Sequence, residues 1–354
     1  MFAATSRLRS SELCTLVETQ LTRRTTYCLP GFCYHLLLTA LQDDTMQRWR
    51  LAQLLIAVVL ANSKPIFSKV LYEAGWTPVQ LYFVILLIMT IVLMSHEIIS
   101  LERGERWGMT KKDIFGTVLS TIIGGVIGPI MFFEGLNMVT ATESMLLTSL
   151  LPLFVVIFSV YFLKEKFSNQ MAIGSVFLIT GMVVLLWPDV QALSLSTGAF
   201  LLIASSMLSA LTTIIHKKYI KHRHLDSIVM VRTVSSLLIV GAYILVRDSS
   251  GLEFLATPQN VWLVLALPLI AYLIPFFLYF RALRKVKAMD AGIIAAMGRV
   301  IGIVMASSLL GEVLTQNHLI SLGLITFGVL FINVPLTKWR VVPSRLMEIG
   351  PLRK

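Results

Sequence analysis

The sequence predicts an all-α integral membrane protein of ten transmembrane helices, built as two inverted five-helix repeats. Three observations predict it: a composition dominated by apolar residues, ten apolar runs of near-bilayer length, and a self-similarity at one fixed offset whose loop charges change sides.

Only 14% of the 354 residues are charged and 56% are hydrophobic, with a mean hydropathy of +0.81. A soluble domain carries roughly 25% charged residues, so lipid is the expected solvent. A helix needs about 20 apolar residues to cross the hydrocarbon core. Ten runs meet or approach that length: 51–71, 78–96, 114–133, 144–163, 171–187, 197–215, 228–246, 261–280, 292–310 and 319–335. The connections between them are too short to hold a soluble domain.

The formal net charge of +11 does not point to nucleic acid, because of where the charge lies. With the N-terminus placed in the cytoplasm, the inner segments carry Arg48, Arg50, Arg103, Arg106, Lys111, Lys112, Lys164, Lys166, Lys217, Lys218, Lys221, Arg223, Arg281, Arg284, Lys285, Lys287, Lys338, Arg340 and Arg345. The outer loops carry only Lys69 and Arg247. This asymmetry is the positive-inside rule and puts both termini in the cytoplasm. Trp49, Trp76, Trp107, Trp187, Trp262 and Trp339 all fall at proposed helix ends, the place of an aromatic belt. Cys14, Cys28 and Cys33 precede the first run, so no disulfide or thiolate metal site is expected in the membrane part. Residues 1–45 have neither a span nor the plan of a signal peptide. They read as a disordered or spuriously translated extension ahead of Met46, and residues 336–354 read as a basic cytoplasmic tail.

Sliding the chain by 147 residues aligns its halves, 51–188 and 197–335, without a gap. Leu54-Leu55-Ile56-Ala57 meets Leu201-Leu202-Ile203-Ala204, and Tyr72 meets Tyr219. Ala141 meets Ala288, Glu165 meets Glu312, Gly181 meets Gly328 and Pro188 meets Pro335. Shared Leu, Ile and Ala are cheap in apolar sequence; shared Glu, Gly and Pro at one offset are not. Five helices per repeat is an odd number, so the second repeat enters the membrane upside down. The loop charges agree: the basic stretch 281–287 aligns with 134–140, which has no Lys or Arg, and Lys164 and Lys166 align with Gly311 and Val313. Inverted repeats of this kind are characteristic of secondary transporters, with the substrate near the midplane between the halves.

The stretch from Ala141 to Pro188, with Leu151-Pro152-Leu153-Phe154-Val155 and Leu163-Lys164-Glu165-Lys166, resembles the EamA module of the drug/metabolite transporter superfamily. So does Ala288 to Pro335, with Leu310-Gly311-Glu312. The resemblance covers about residues 51–335. It implies a 5+5 helix plan, a glutamate at the end of each fourth helix, and transport of a metabolite or drug. Repeat one keeps the proline of the fourth helix as Pro152, whereas repeat two has Arg299; an arginine early in the second helix is present as Arg232 and replaced by Ile85 in repeat one.

Ionisable groups within spans are expensive and mark function. Arg299 lies eight residues into its run, between Gly298 and Gly302, whose four-residue spacing lets another backbone approach. Two readings stand for it: a fork of donors for an anionic substrate, or a structural ion pair. Lys64, beside the helix-breaking Pro65, faces a cavity or snorkels outward, and Asn62 shares its helix. Arg232 is the fourth candidate substrate contact, against snorkelling inward. Glu134, Glu143 and Asp290 read as a proton relay or as solvated interfacial carboxylates. Pro152, Glu165 and Glu312 read as structural or gating residues. Helices three, four, eight and nine are expected to form the central pathway. No Walker A run and no His-Glu-x-x-His pair is present, so no enzyme, cofactor or metal is expected, and a gradient would drive transport. The partners expected are a small-molecule substrate and the lipid bilayer, without nucleic acid; oligomeric state is left open. The expected function is secondary transport, in the export direction, of small polar metabolites such as amino acids or organic anions across the plasma membrane. The rivals are a non-transporting binding or sensory protein on the same fold and, behind it, a lipid-modifying enzyme.

Overall fold

A computed structural model describes residues 49–102, 111–188, 196–219, 225–247, 261–283 and 288–333. The chain divides into a leading unit, Met1–Ala52, and a body, Gln53–Lys354. The extension 1–45 and the tail 336–354 lie outside the described residues, as does the side chain of Asp290.

The described residues are helical and contain no strand. In chain order the helices are α1 (Trp49–Glu73), α2 (Pro78–Glu102), and α3 in three pieces, Lys111–Ser120, a π-helical turn Thr121–Ile127, and Gly128–Met138. They continue with α4 (Ala141–Thr148 and Leu151–Leu163), α5 (Asn169–Leu185), α6 (Thr197–Tyr219) and α7 (Leu225–Arg247). Last come α8, again in three pieces, Val261–Ala266, a π-helical turn Leu267–Leu273, and Ile274–Leu283, α9 (Ala288–Leu310) and α10 (Gln316–Asn333). Nine of these contain segments long and apolar enough to cross a membrane, and α5 is a shorter apolar helix. Large apolar side chains cover the outer faces: Ile91, Phe115, Val176, Leu245 and Val246 are all exposed. In water such a surface would aggregate; in lipid it is the solvated face.

Local chemistry sets the helix ends. α1 stops at Gly75, whose φ of +93° allows a Schellman turn: Trp76 N–H donates to the Leu71 carbonyl (3.1 Å) and Gly75 N–H to that of Tyr72 (3.0 Å). Thr77 and Gln80 then cap α2 reciprocally. Thr140 and Glu143 form a capping box at the start of α4, and Thr315 does the same for α10 with His318 in the place of the usual Glu.

Two buried cores result. One gathers Met145, Leu146 and Leu150 of α4, Leu178 of α5, Leu202 of α6, Ile303 of α9 and Ile325 and Val329 of α10. The other gathers Leu81 to Leu86 of α2, Phe133 of α3, Val240 and Ile244 of α7, and Leu267 and Ala271 of α8. Glycines allow the closest approaches. A Cβ on Gly124 would overlap the Thr212 side chain of α6, and one on Gly125 the Ser236 hydroxyl of α7. α5 and α10 meet along a second glycine stripe. Gly174 lies against Gly328 and Ile332, Gly181 against Leu324 and Ile325, and Gly328 against Leu178. As the number rises along α5 the partner's falls along α10, so the two helices run antiparallel.

Candidate functional site

Prolines and π turns interrupt α1, α3, α4 and α8, and a cavity of about 370 Å³ is lined in part by these helices. Its wall comes from α1 (Ala61, Asn62, Lys64, Pro65), α2 (Tyr82, Ile85, Leu86, Met89), α3 (Gly124, Pro129, Phe132, Phe133) and α4 (Met145, Thr148, Leu151). It is completed by α6 (Ser205, Ser206, Ser209), α7 (Arg232, Thr233) and α8 (Tyr272). Both cores contribute, so the cavity lies between them.

Proline lacks an N–H and leaves the carbonyl four residues earlier without its helical donor. For Pro129 that carbonyl belongs to Gly125, and the Tyr82 hydroxyl donates to it at 2.5 Å. Just past the π turn, the Gly128 carbonyl accepts from the Ser205 hydroxyl at 2.8 Å. Pro65 and Pro152 free the carbonyls of Ala61 and Thr148 in the same way, and both of these residues lie on the cavity wall.

Two cations stand on the wall. Lys64 holds its ammonium 4.2 Å from the centroid of the Tyr272 ring, a cation–π contact in a desolvated setting. Arg232 faces the cavity from α7, one turn before Ser236 and against Gly125. No carboxylate lies on the described wall, and neither cation has an acidic partner among the described residues. The wall is therefore cationic, rich in hydroxyls and flanked by aromatic rings.

The sequence candidates divide accordingly. Lys64, Asn62 and Arg232 come together on the cavity wall, with Asn62 donating back to the Val58 carbonyl at 2.8 Å. Arg299 is not on that wall. It sits on α9 between Gly298 and Gly302, which pack against Val58 and Asn62 of α1; its Nη1 is enclosed without a hydrogen-bond partner. Pro152 is the second residue of the second piece of α4, in its first turn. Glu134 is half-buried on α3 and off the wall. Glu143 sits at one end of the bundle, in the cap of α4, with His318 Nε2 at 3.6 Å. There Glu312 accepts from the backbone N–H groups of Ala141 (2.6 Å) and Thr142 (2.9 Å), joining the end of α9 to the start of α4. Glu165 pairs with Lys217 of α6.

Helices α3, α4 and α8 line the cavity as the sequence suggests, but α9 does not, and α1, α2, α6 and α7 contribute instead. Sequence reasoning missed Tyr82, Tyr272, Thr148, Thr233 and the three serines. Ser205, Ser206 and Ser209 did carry a signal, since positions i, i+1 and i+4 share one helix face.

A family model for EamA-like transporters matches the chain twice, over residues 48–187 and 196–334. The chain belongs to the EamA-like transporter family. The resemblance read from Ala141–Pro188 and Ala288–Pro335 is thereby borne out, and as an EamA-like transporter the chain is a multi-pass membrane protein acting on a small-molecule substrate within a bilayer. It is similar to the uncharacterized transporter YetK of Bacillus subtilis (strain 168), 24% identical over 282 residues that cover 78% of this chain and 84% of the relative. It is also similar to an uncharacterized transporter of Methanothermobacter thermautotrophicus, 25% identical over 229 residues that cover 62% of this chain and 65% of that one. One protein crystal structure shares the EamA-like chain's fold with a TM-score of 0.52, covering 78% of this chain and 98% of that one. At 16% identity that likeness concerns the fold alone.

Proposed function

We propose that this EamA-like transporter is a secondary exporter of small polar metabolites, organic anions and amino acids, across the plasma membrane. In this reading it has ten spans, cytoplasmic termini and two inverted repeats, 51–188 and 197–335, that alternate access to the central cavity. The cavity carries the reading. Lys64 and Arg232 face it without acidic partners among the described residues, and unpaired cations within a bilayer are costly, so an anionic cargo would satisfy them when bound. The acceptors freed at Ala61 and Thr148 would take its N–H or O–H groups, and Asn62 stands beside them.

Contacts between α5 and α10 support the inversion. Gly181 touches Ile325, and Gly328 touches Leu178; adding 147 to 181 and to 178 gives 328 and 325. The repeat operation therefore exchanges one contact for the other, the reciprocity that a two-fold axis imposes. The π turns of α3 and α8 also fall within one residue of equivalent places, beginning at Thr121 and Leu267. Arg299, whose neighbours Gly298 and Gly302 pack on Asn62, would act on the cargo through Asn62, with Glu134, Glu143 and Asp290 as proton carriers along the pathway.

Counterflow in proteoliposomes tests the proposal. Vesicles loaded with a panel of organic anions and amino acids should show saturable, gradient-driven exchange for at least one compound, above empty vesicles. Exchange restricted to cationic or uncharged compounds would refute the anionic reading. No exchange of any compound by folded protein would favour a non-transporting binding protein.

A further inference from the structure

α4 and α9 occupy equivalent places: they begin at Ala141 and Ala288 and end at Leu163 and Leu310, each pair 147 apart. One left-handed residue follows each end, Lys164 (φ 54°) and Gly311 (φ 68°), and then a glutamate, Glu165 and Glu312. Among the described residues Lys164 is the only non-glycine with positive φ, a conformation that L side chains adopt at a cost. The same turn is thus built twice, once without the residue that makes it easy.

The two glutamates are engaged differently. Glu312 spends both carboxylate oxygens on the N–H groups of Ala141 and Thr142, and its own carbonyl accepts from Ser307 at 2.8 Å. The second half of α9 also packs on Ala141–Thr148, with Gly302 against Met145. This end of the bundle is latched. Glu165 is instead held by Lys217, and the second half of α4 packs on α6. Ala288 and Met289 are the first described residues of α9 and the counterparts, 147 later, of Ala141 and Thr142; the first N–H groups of a helix have no acceptor within it and its dipole favours a carboxylate there. α4 covers 23 residues, about 34 Å at 1.5 Å per residue, so Glu312 at its start and Glu165 beyond its end serve opposite faces.

We propose that Glu165 is the second of two alternating latches. When the Glu312 end opens, Glu165 leaves Lys217 and accepts from the backbone N–H groups of Ala288 and Met289, closing the other end over the cavity. Lys217 is the holding partner of Glu165 while its own end is open. The proposal rests on the alternating-access reading above and names the groups that carry it out.

Distances between spin labels test it in nanodiscs, with Cys14, Cys28 and Cys33 replaced by serine. One pair, Met138→Cys with Val313→Cys, reports the Glu312 end; both positions are exposed. The other, Phe167→Cys with Ala291→Cys, reports the Glu165 end. Glu312→Gln should lengthen the first distance and shorten the second, moving the ratio of the two states roughly tenfold, the scale of a helix-capping interaction. Lys217→Gln, at an exposed side chain, should shorten the second distance with the Glu312 latch chemically untouched. Glu165→Gln should cancel both effects. The latch is overturned if Glu165→Gln leaves the short second distance of Glu312→Gln intact. It is equally overturned if Lys217→Gln shifts nothing, a result that stands even where Glu312→Gln does not fold. If instead one end opens in these variants while the other never closes, alternating access itself fails.

Discussion

Replacing Lys64 by methionine separates what the cation costs from what it does. Its ammonium rests on Tyr272 and has no acidic partner among the described residues. Holding a lysine at the centre of a span costs ~2.5–3.5 kcal/mol, and a desolvated cation–π contact returns ~0.5–2 kcal/mol. The ligand-free protein is therefore roughly 0.5–3 kcal/mol less stable than it would be with an apolar side chain of similar reach. Methionine supplies that side chain and adapts to irregular space. Lys64→Met should raise the melting temperature of ligand-free, detergent-solubilised protein by a few degrees, taking ~2–4 °C per kcal/mol. In counterflow the same variant should bind an anionic cargo roughly 10- to 150-fold more weakly, the loss of one charge-assisted hydrogen bond of ~1.5–3 kcal/mol. Lys64→Arg should retain part of the transport and none of the extra stability. Lower stability for Lys64→Met would mean that the ammonium has a fixed partner and is structural. Unchanged counterflow would remove it from the site.

Four further outcomes follow from the geometry. Tyr82→Phe leaves the Gly125 carbonyl without its hydroxyl donor and should lower stability by ~1–3 kcal/mol, measured by thermal unfolding against Ser205→Ala as the parallel case. Gly328→Ala places a Cβ against the Gly174 carbonyl and should force α5 from α10, seen as loss of monodisperse protein in detergent; Gly323→Ala, where a Cβ meets nothing, should be silent. Arg299→Ala should keep the fold while weakening transport of anions, since no acidic partner of Arg299 lies among the described residues; a large fall in melting temperature with transport intact would make it structural. Single cysteines at Lys166, Arg223 and Lys285, in the cysteine-free background, should resist an impermeant thiol reagent in intact cells, and strong labelling at Lys285 would overturn the inverted topology.

Much of this protein is one-dimensional. Lipid requires spans to be helical and apolar, so the apolar runs fall on helix over most of their described length, broken at Ser63, at Ser149 and Leu150, and at Leu186, and loop charge and the 147-residue offset are likewise read without knowing a single contact. The family follows from the same stretches. Lys64 and Arg232 were legible as charges out of place, and Pro65 and Pro152 as helix breaks. The tertiary structure decided which faces meet. A lipid-solvated helix is apolar on both sides, so its sequence lacks the polar stripe that orients a helix in water. Arg232 and Arg299 look alike as lone arginines in apolar runs, yet packing sets one on the cavity wall and encloses the other away from it. Nothing local tells Tyr82 that it will meet Gly125, or Glu312 that it will cap a helix 170 residues earlier. Those pairings exist only after α2 lies on α3 and α9 on α4, because an isolated polar group in hydrocarbon takes whichever partner packing brings within reach.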